Sequence, residues 1–338
     1  MNVSDPSYNL VDQRIWNICT PIVLVFGTIG NVLSIVVFGS KKMRSKTMSL
    51  YLISLAVVDI LALWFGLFTK WVPHIETTPP ITVRALNGFS CKLITFMVYT
   101  NGHVTSWILV FVTYERFISV FFPLKAKALF KIKSTLIIIA MLFTVFISLN
   151  LHIFWMVDVI ENNITNERDC RYTEDHKEYW TKRRGFIDLI LGSFIPFILM
   201  LIASIAIISK LATRKIGAMN NKNIAAMTIT LLLCNFFFML TTAPIVLFLV
   251  LNNSWYPQQG EIGHPDYYAY QIHYTICDMI FYINHSANFV LYCISGPIFR
   301  KQIKSMFMQM KCFGRNNKVG GKSMTNGDST QVGNSSST

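Results

Sequence analysis

The chain contains seven apolar runs that are each long enough to cross a lipid bilayer. A bilayer core is about 30 Å thick, and a helix that rises about 1.5 Å per residue spans it with about 20 residues. Backbone amides find no water inside hydrocarbon, so each run must pair them internally as a helix. The runs cover about residues 15–38, 47–69, 89–121, 134–157, 186–209, 225–251 and 271–295. The sequence therefore predicts an all-α membrane protein built as a seven-transmembrane helix bundle.

Composition favours this fold over a large soluble domain with buried core helices. Hydrophobic residues make up 53% of the chain and charged residues only 14%. A soluble domain needs a polar covering layer, and the connectors are too short to form one. The predicted organisation is an outer N-terminus, the bundle, a membrane-surface segment and a disordered Gly/Asn/Ser/Thr-rich tail, at 1–14, 15–295, 296–312 and 313–338.

Basic residues indicate the orientation of the bundle. Lysine and arginine concentrate in the first, third and fifth connectors and in the tail, and loops rich in these residues stay in the cytosol. We therefore expect a multi-pass plasma-membrane protein with its N-terminus outside and its C-terminus in the cytoplasm. The net charge of +13 is interpreted as an orientation signal helped by anionic lipids, and not as a nucleic-acid-binding surface.

Cysteines and glycosylation sequons fit this orientation. Cys91 and Cys170 both lie on the predicted outer side, where a disulfide is stable. Three sequons for N-glycosylation also lie outside, at Asn2, Asn163 and Asn252. On the inner side, the stretch from Pro297 to Phe307 has one apolar face, which predicts a short amphipathic eighth helix lying on membrane lipids. Cys312 follows this stretch and is a candidate for palmitoylation.

Several motifs occur in order at defined depths of the predicted bundle. They are Gly30-Asn31, Leu55-Ala56 with Asp59, Cys91, Glu115-Arg116-Phe117, Pro196, Pro244 and Asn288-Phe289-Val290-Leu291-Tyr292. Together they resemble the rhodopsin-like (class A) G-protein-coupled receptors over about residues 15–312. The resemblance implies a receptor that binds an extracellular ligand and activates heterotrimeric G proteins. It also implies arrestin as a further partner of a phosphorylated tail.

The carboxylate of Asp59 lies within an otherwise apolar run, where a charge is costly and usually functional. The resemblance implies that it binds a sodium ion as an allosteric modulator, because oxygen donors suit hard cations. The expected sodium ligands are Asp59, Thr105, Asn284 and Asn288. The alternative is a protonated or water-bridged aspartate that only holds helices together. We expect no other cofactor.

The resemblance also assigns a cytoplasmic switch. Glu115 is expected to hold Arg116 in the inactive state, and the released arginine is expected to reach Tyr292 and open a crevice for the G protein. Leu124 is the expected G-protein contact beside Arg116. The alternative for Arg116 is an interfacial side chain that snorkels to lipid headgroups.

The sixth predicted span carries two further switch residues. Pro244 removes a helix hydrogen bond and permits a hinge, and Phe238 keeps the aromatic residue of the family. Thr242 stands where the family usually has a tryptophan, and Phe289 stands where the seventh span usually has a proline. The details of activation are therefore expected to differ from the family pattern.

Candidate ligand contacts lie in the outer halves of the predicted spans. Val98 and Tyr282 occupy the positions where amine receptors carry an aspartate and opsins a lysine, so neither a biogenic amine nor retinal is expected as the ligand. Carboxylates and aromatic rings are expected to contact a cationic ligand, at Asp188, Asp278, Tyr99, Tyr274 and Tyr282. The alternative for the two acids is an internal salt bridge, for example with Lys70 or Lys92. Isolated histidines, including His103 and His285, are expected to be polar packing residues.

The motifs around Pro244 and Tyr292 resemble those of invertebrate neuropeptide receptors for FMRFamide-like peptides and myosuppressins. That resemblance implies a short amidated neuropeptide as the extracellular ligand. A class A receptor for a lipid or other small molecule is the nearest alternative. A membrane transporter is the alternative from another class, but no internal repeat is visible. The chain shows no metal-spaced His/Cys set, phosphate loop or nucleophile with a base, so no enzymatic activity is expected.

Overall fold

A computed structural model of the chain describes residues 6–75, 81–161, 168–213, 222–257, 264–297, 299–306 and 308. Seven long helices dominate these residues. They are α1 Pro6–Phe38, α2 Thr47–His74, α3 Gly88–Phe121, α5 Ile132–Asn150, α6 Gly185–Thr213, α7 Lys222–Trp255 and α8 Pro265–Ser295. A short helix, α4 Pro123–Leu129, connects α3 to α5. The predicted all-α bundle is confirmed.

Within the described residues, six helices are long and apolar enough to cross a membrane. The long helix outside that set is α8, which has 31 residues but carries Asp266, His273, Asp278 and His285. It packs between α1 and α7, while α3 contacts α2, α5, α6 and α7 at the centre of the bundle. The polar residues of α8 therefore face protein neighbours as well as lipid.

Helix α1 begins at Pro6, inside the segment assigned to the outer N-terminus. The sequence there is too polar for an apolar run, but tertiary contacts hold the extra turns. The Thr275 hydroxyl of α8 donates to Asp12 Oδ1 at 2.5 Å, and the Trp16 indole donates to Thr275 at 3.2 Å. Hydropathy does not predict these polar turns as part of the helix, because they are held by packing on a neighbouring helix.

An antiparallel hairpin connects α5 to α6 on the predicted outer side. Its strands are β1 Val157–Glu161 and β2 Arg168–Tyr172, with Val159 opposite Cys170. The disulfide between Cys91 and Cys170 is present and joins β2 to the start of α3, as the sequence predicted. Lys92 lies 2.9 Å from Asp158, and this hydrogen bond lowers the pKa of the Asp158 carboxyl.

The outer part of α6 contains a wide π-helical turn, Leu189–Phe194, just before Pro196. Proline has no N–H, so the carbonyl of Gly192 loses its usual partner one turn earlier. The Ser106 hydroxyl of α3 donates to that carbonyl at 2.5 Å, and the Trp107 indole donates to the Leu191 carbonyl at 2.9 Å. Side chains of α3 therefore satisfy the backbone that the bulge leaves open.

The amphipathic segment after α8 is helical at 299–306. Phe299 is buried against Phe38 and Tyr292, whereas Arg300 and Lys301 are exposed. The predicted apolar face thus packs on the inner end of the bundle. Asn2, Asn163, Cys312 and the tail lie outside the described residues.

Close approach of α1 to α2 and α8 depends on Gly27. A Cβ atom there would lie 2.6 Å from Leu63 Cδ1 and 2.7 Å from Ser286 Cβ. We expect Gly27→Ala to lower the Tm of the purified protein, because overpacking costs about 1–3 kcal/mol. Gly102→Ala is the matched control, since a Cβ there meets nothing within 4 Å. A Gly27→Ala protein as stable as the Gly102→Ala protein would contradict this packing.

Candidate functional site

A cavity of about 380 Å³ lies among the outer halves of the helices. Its walls come from α2, α3, α6, α7 and α8, together with Trp180 and Arg184 just before α6. The structure brings all of the predicted ligand contacts to this cavity, namely Tyr99, Asp188, Tyr274, Asp278 and Tyr282. Its volume lies within the range of about 300–1,000 Å³ that is usual for ligand pockets.

The first predicted acid of the cavity, Asp278, forms a buried ion pair with Lys70. The Lys70 ammonium lies 2.8 and 2.9 Å from the two Asp278 oxygens and donates to the Tyr274 hydroxyl at 2.9 Å. The ammonium also lies 5.3 Å from the ring centroids of Tyr274 and Tyr282. The internal salt bridge that was one of the two alternatives for Asp278 is thus present. Both of its partners also line the cavity.

The second predicted acid, Asp188, pairs with Arg184 one helical turn earlier. Arg184 Nε lies 2.9 Å from Asp188 Oδ2, and His103 Nε2 lies 3.3 Å from Asp188 Oδ1. Arg184 is only 1% exposed; it donates to Asn150 Oδ1 and lies 4.2 Å from the Tyr99 ring. His103, expected as a polar packing residue, contacts both Asp188 and Asn150.

Sequence analysis did not identify Arg184 as a buried cavity residue. It lies among several charged residues of the outer loop, and such a run usually indicates a solvated surface. The one available signal was its spacing of four residues from Asp188, which places both side chains on one helix face.

The inner end of the cavity is polar, and none of the described residues that line it there is a carboxylate. Thr105 of α3, Phe238 and Thr242 of α7, and His285 of α8 line it. The Thr105 and Thr242 hydroxyls and His285 Nε2 are buried and have no hydrogen-bond partner among the described residues. Buried polar atoms are nearly always paired in native proteins, so this end suits a ligand group that both donates and accepts hydrogen bonds.

Below this end, Asp59 is fully buried and both of its carboxylate oxygens are engaged. His285 Nδ1 lies 2.8 Å from Oδ1, and the Asn288 amide donates to Oδ2 at 2.8 Å. Of the expected sodium ligands, the structure therefore brings Asp59 and Asn288 together. No hydrogen bond joins Thr105 or Asn284 to Asp59 within the described part of the chain. His285, expected as a polar packing residue, makes its polar contact with Asp59.

A hard cation needs several oxygen donors that face it. Here the carboxylate meets nitrogen atoms at both oxygens, and Asn288 turns its amide nitrogen toward it. Asp59 and His285 form a hydrogen-bonded pair, and the Asn288 amide donates a further hydrogen bond to it. The predicted sodium ligands therefore do not fit an ion cage in this structure.

At the other end of α3, Glu115 and Arg116 are both held by α2. Thr47 donates to Glu115 Oε1 at 2.5 Å, and Arg116 lies 3.8 Å from the same oxygen. Arg116 also contacts the Met48 sulfur at 3.0 Å. Glu115 is 4% exposed, so the pair is shielded from solvent rather than placed among lipid headgroups.

The other predicted switch residues make their contacts in other parts of the bundle. Tyr292 is buried with its ring edge-on to Phe38 at 5.3 Å. Phe238 is buried in the central core, and Pro244 lies inside α7. Leu124, at the start of α4, is 83% exposed, which leaves it free to contact a partner.

Comparisons with known proteins agree with this architecture. A C-X-C chemokine receptor type 4-B of Xenopus laevis is 24% identical over 298 residues, which cover 84% of this chain and 76% of the relative. A C-C chemokine receptor type 6 of Mus musculus is 23% identical, with 89% and 79% covered. The FMRFamide receptor of Drosophila melanogaster is 24% identical, with 90% of this chain and 55% of the relative covered.

The model of the seven-transmembrane receptor family of the rhodopsin type matches residues 30–292. This match spans the bundle from the Gly30-Asn31 motif to Tyr292, and it includes Asp59, the Glu115-Arg116 pair and the cavity. The chain is therefore a multi-pass membrane protein that belongs to the rhodopsin family of seven-transmembrane receptors.

Proposed function

We propose that this chain is a plasma-membrane receptor that binds a short peptide with an amidated C-terminus and activates heterotrimeric G proteins. Its N-terminus lies outside and its tail in the cytoplasm. The observation that carries the proposal is the cavity, whose walls hold two partly buried ion pairs and whose inner end holds two threonine hydroxyls and an imidazole. Relatives named for chemokines and for FMRFamide support a peptide ligand.

The ion pairs favour a peptide over a lipid. A basic group of the ligand competes with Lys70 for Asp278, and a peptide carbonyl accepts a hydrogen bond from the released ammonium. A peptide carries both groups, whereas the acyl chains of a lipid carry neither and would leave the buried charges in apolar contact.

The inner end favours an amide over a free carboxylate. A C-terminal carboxamide is uncharged, donates through its nitrogen and accepts through its oxygen. Those properties match the buried hydroxyls of Thr105 and Thr242 and the free ring nitrogen of His285. A carboxylate would bring a further negative charge close to the buried Asp59.

A second cavity of about 230 Å³ extends the site toward the outer surface. It shares Lys70 and Tyr274 with the first cavity and is lined by Asp12, Arg84 and Asp169. A ligand that occupies both cavities is longer than a small molecule. An extended peptide, anchored at its C-terminus and passing the Lys70–Asp278 pair, fits this shape.

On the inner side, Arg116 and Leu124 are proposed to contact the G protein. The pair of Glu115 and Arg116 keeps the crevice closed, and release of the arginine opens it. Arrestin is proposed to bind the phosphorylated tail.

Matched peptide pairs test the ligand class. Cells that express the receptor with a promiscuous G protein are treated with a panel of neuropeptides, each as the amide and as the free acid. We expect at least one amide to raise the second messenger, and its acid form to need at least about tenfold more peptide, since 1.4 kcal/mol is tenfold in affinity. Silence toward every amide, with surface expression verified by antibody staining, would contradict the proposal.

Thr242→Val should reduce the preference for the amide. Valine keeps the shape of threonine but removes the hydroxyl that the carboxamide is proposed to bind. We expect the potency of the amide to fall toward that of the acid, with potency measured in the same assay. Thr144→Val on α5 is the matched control, because Thr144 is exposed and bonds only its own helix at Ala140. Equal amide potency in both variants would contradict the assignment of Thr242.

The Lys70–Asp278 pair should also support stability. Lys70→Met leaves a buried carboxylate without a counter-charge, which costs about 3–5 kcal/mol, so the Tm of purified receptor should fall. Adding Asp278→Asn should restore most of the Tm. Lys92→Met at the exposed Asp158 pair is the control and should cost about 0–1 kcal/mol. A single Lys70→Met variant as stable as the double variant would contradict the buried pair.

Leu124→Ala should weaken coupling without weakening peptide binding. The exposed leucine has no packing role in the bundle, so its loss should lower the maximal second-messenger response and leave surface expression unchanged. Leu129→Ala, on the opposite end of α4 and 56% exposed, is the control. A full response from the Leu124→Ala receptor would rule out this contact.

A further inference from the structure

The pair formed by Asp59 and His285 has a consequence for ion binding that goes beyond the proposed ligand. Asp59 is 0% and His285 1% exposed, so the pair is buried. A buried carboxylate in a membrane bundle needs a partner, because the isolated charge is strongly disfavoured. The imidazole supplies that partner at 2.8 Å.

Neighbouring side chains fix the position of the imidazole. The backbone carbonyl of His285 accepts a hydrogen bond from the Asn31 amide at 2.8 Å, which ties α8 to α1 at this residue. The ring packs edge-on against Phe281 at a centroid distance of 5.0 Å. The backbone of His285 and one edge of its ring are therefore held while the ring contacts Asp59.

The other residues around the carboxylate do not assemble an alternative cage. Asn288 donates its amide nitrogen to Oδ2, so its nitrogen and not its oxygen faces the site where a cation would lie. The Thr105 hydroxyl lines the ligand cavity and has no hydrogen-bond partner among the described residues. Among the described residues, the hydrogen bonds to the Asp59 carboxylate thus come from nitrogen atoms, whereas a hard cation requires oxygen donors.

The geometry points to His285 as the resident partner of Asp59, in the place where a sodium ion would otherwise bind. The ring fills the space beside the carboxylate and forms the hydrogen bond that an ion would replace. This receptor should therefore not be stabilised by sodium. The inference does not depend on the identity of the ligand.

The test measures the Tm of purified full-length receptor in detergent, in sodium chloride and in choline chloride of equal ionic strength. The parent protein should have the same Tm in both salts. His285→Ser replaces the ring with a small oxygen donor and opens the space beside Asp59. Its Tm should rise by about 2 °C or more in sodium chloride, because an ion that binds only the folded state stabilises it.

Three variants make the result decisive. His285→Asn, which also supplies an oxygen, replaces His285→Ser if the latter fails to fold. Adding Asp59→Asn to either variant should abolish the response to sodium. His176→Ser, in the outer loop, controls for the loss of a histidine and should behave as the parent.

Each outcome bears on the inference. A higher Tm of the parent in sodium chloride would overturn it, since the ion would then bind despite the imidazole. Indifference of both His285 variants would also overturn it, because the ring would not be what excludes the ion. A response in the variants alone supports it. None of these outcomes depends on peptide activation, so they are separate from the failure or success of the proposed ligand.

Discussion

Polar groups within the bundle must find partners inside the protein, because hydrocarbon offers none. This constraint explains contacts that hydropathy alone would not suggest. The carbonyl that Pro196 leaves free at Gly192 takes the Ser106 hydroxyl, and the arginine that opens α6 folds inward onto Asp188 and Asn150. The contacts of Ser106 with Gly192 and of Arg184 with Asn150 cross from one helix to another, so they also fix how those helices are rotated, whereas Arg184 and Asp188 lie one turn apart. Stability and the shape of the cavity therefore have the same origin.

Buried polar groups that have no hydrogen-bond partner are also informative. Two threonine hydroxyls and one imidazole nitrogen remain without partners at the inner end of the cavity, within the residues that the structure describes. Arg184 and Asp278, which line the same cavity, are engaged in ion pairs, and some buried atoms away from it, such as Glu115 Oε2 and Asn235 Oδ1, also have no partner among the described residues. A binding site for a polar ligand needs polar groups at its wall that stay unpaired until the ligand binds.

Much of the fold can be predicted from the sequence. Local composition predicts the membrane spans, and single motifs identify the Cys91–Cys170 disulfide and the central carboxylate of Asp59. The partners of the charged residues do not follow in this way. Lys70 meets Asp278 and Asp59 meets His285 only through the rotation of α2 against α8, and apolar periodicity leaves that rotation undetermined. The burial of Arg184 could not be predicted for a related reason, since burial depends on what the rest of the bundle places around a residue.

One stripe of α8 connects the cavity to the cytoplasmic end. Asp278, Tyr282, His285, Asn288 and Tyr292 follow one another at intervals of three or four residues, so they lie on one face of the helix, and all are buried. The first three line the cavity, the third and fourth bind Asp59, and the last packs on Phe38. Because a helix turns as a unit, a ligand that displaces Lys70 from Asp278 and rotates α8 also moves the contacts at Asp59 and at Tyr292. The polar character that sets α8 apart from the other long helices is thus what allows one helix to line the cavity, bind the central carboxylate and reach the cytoplasmic end.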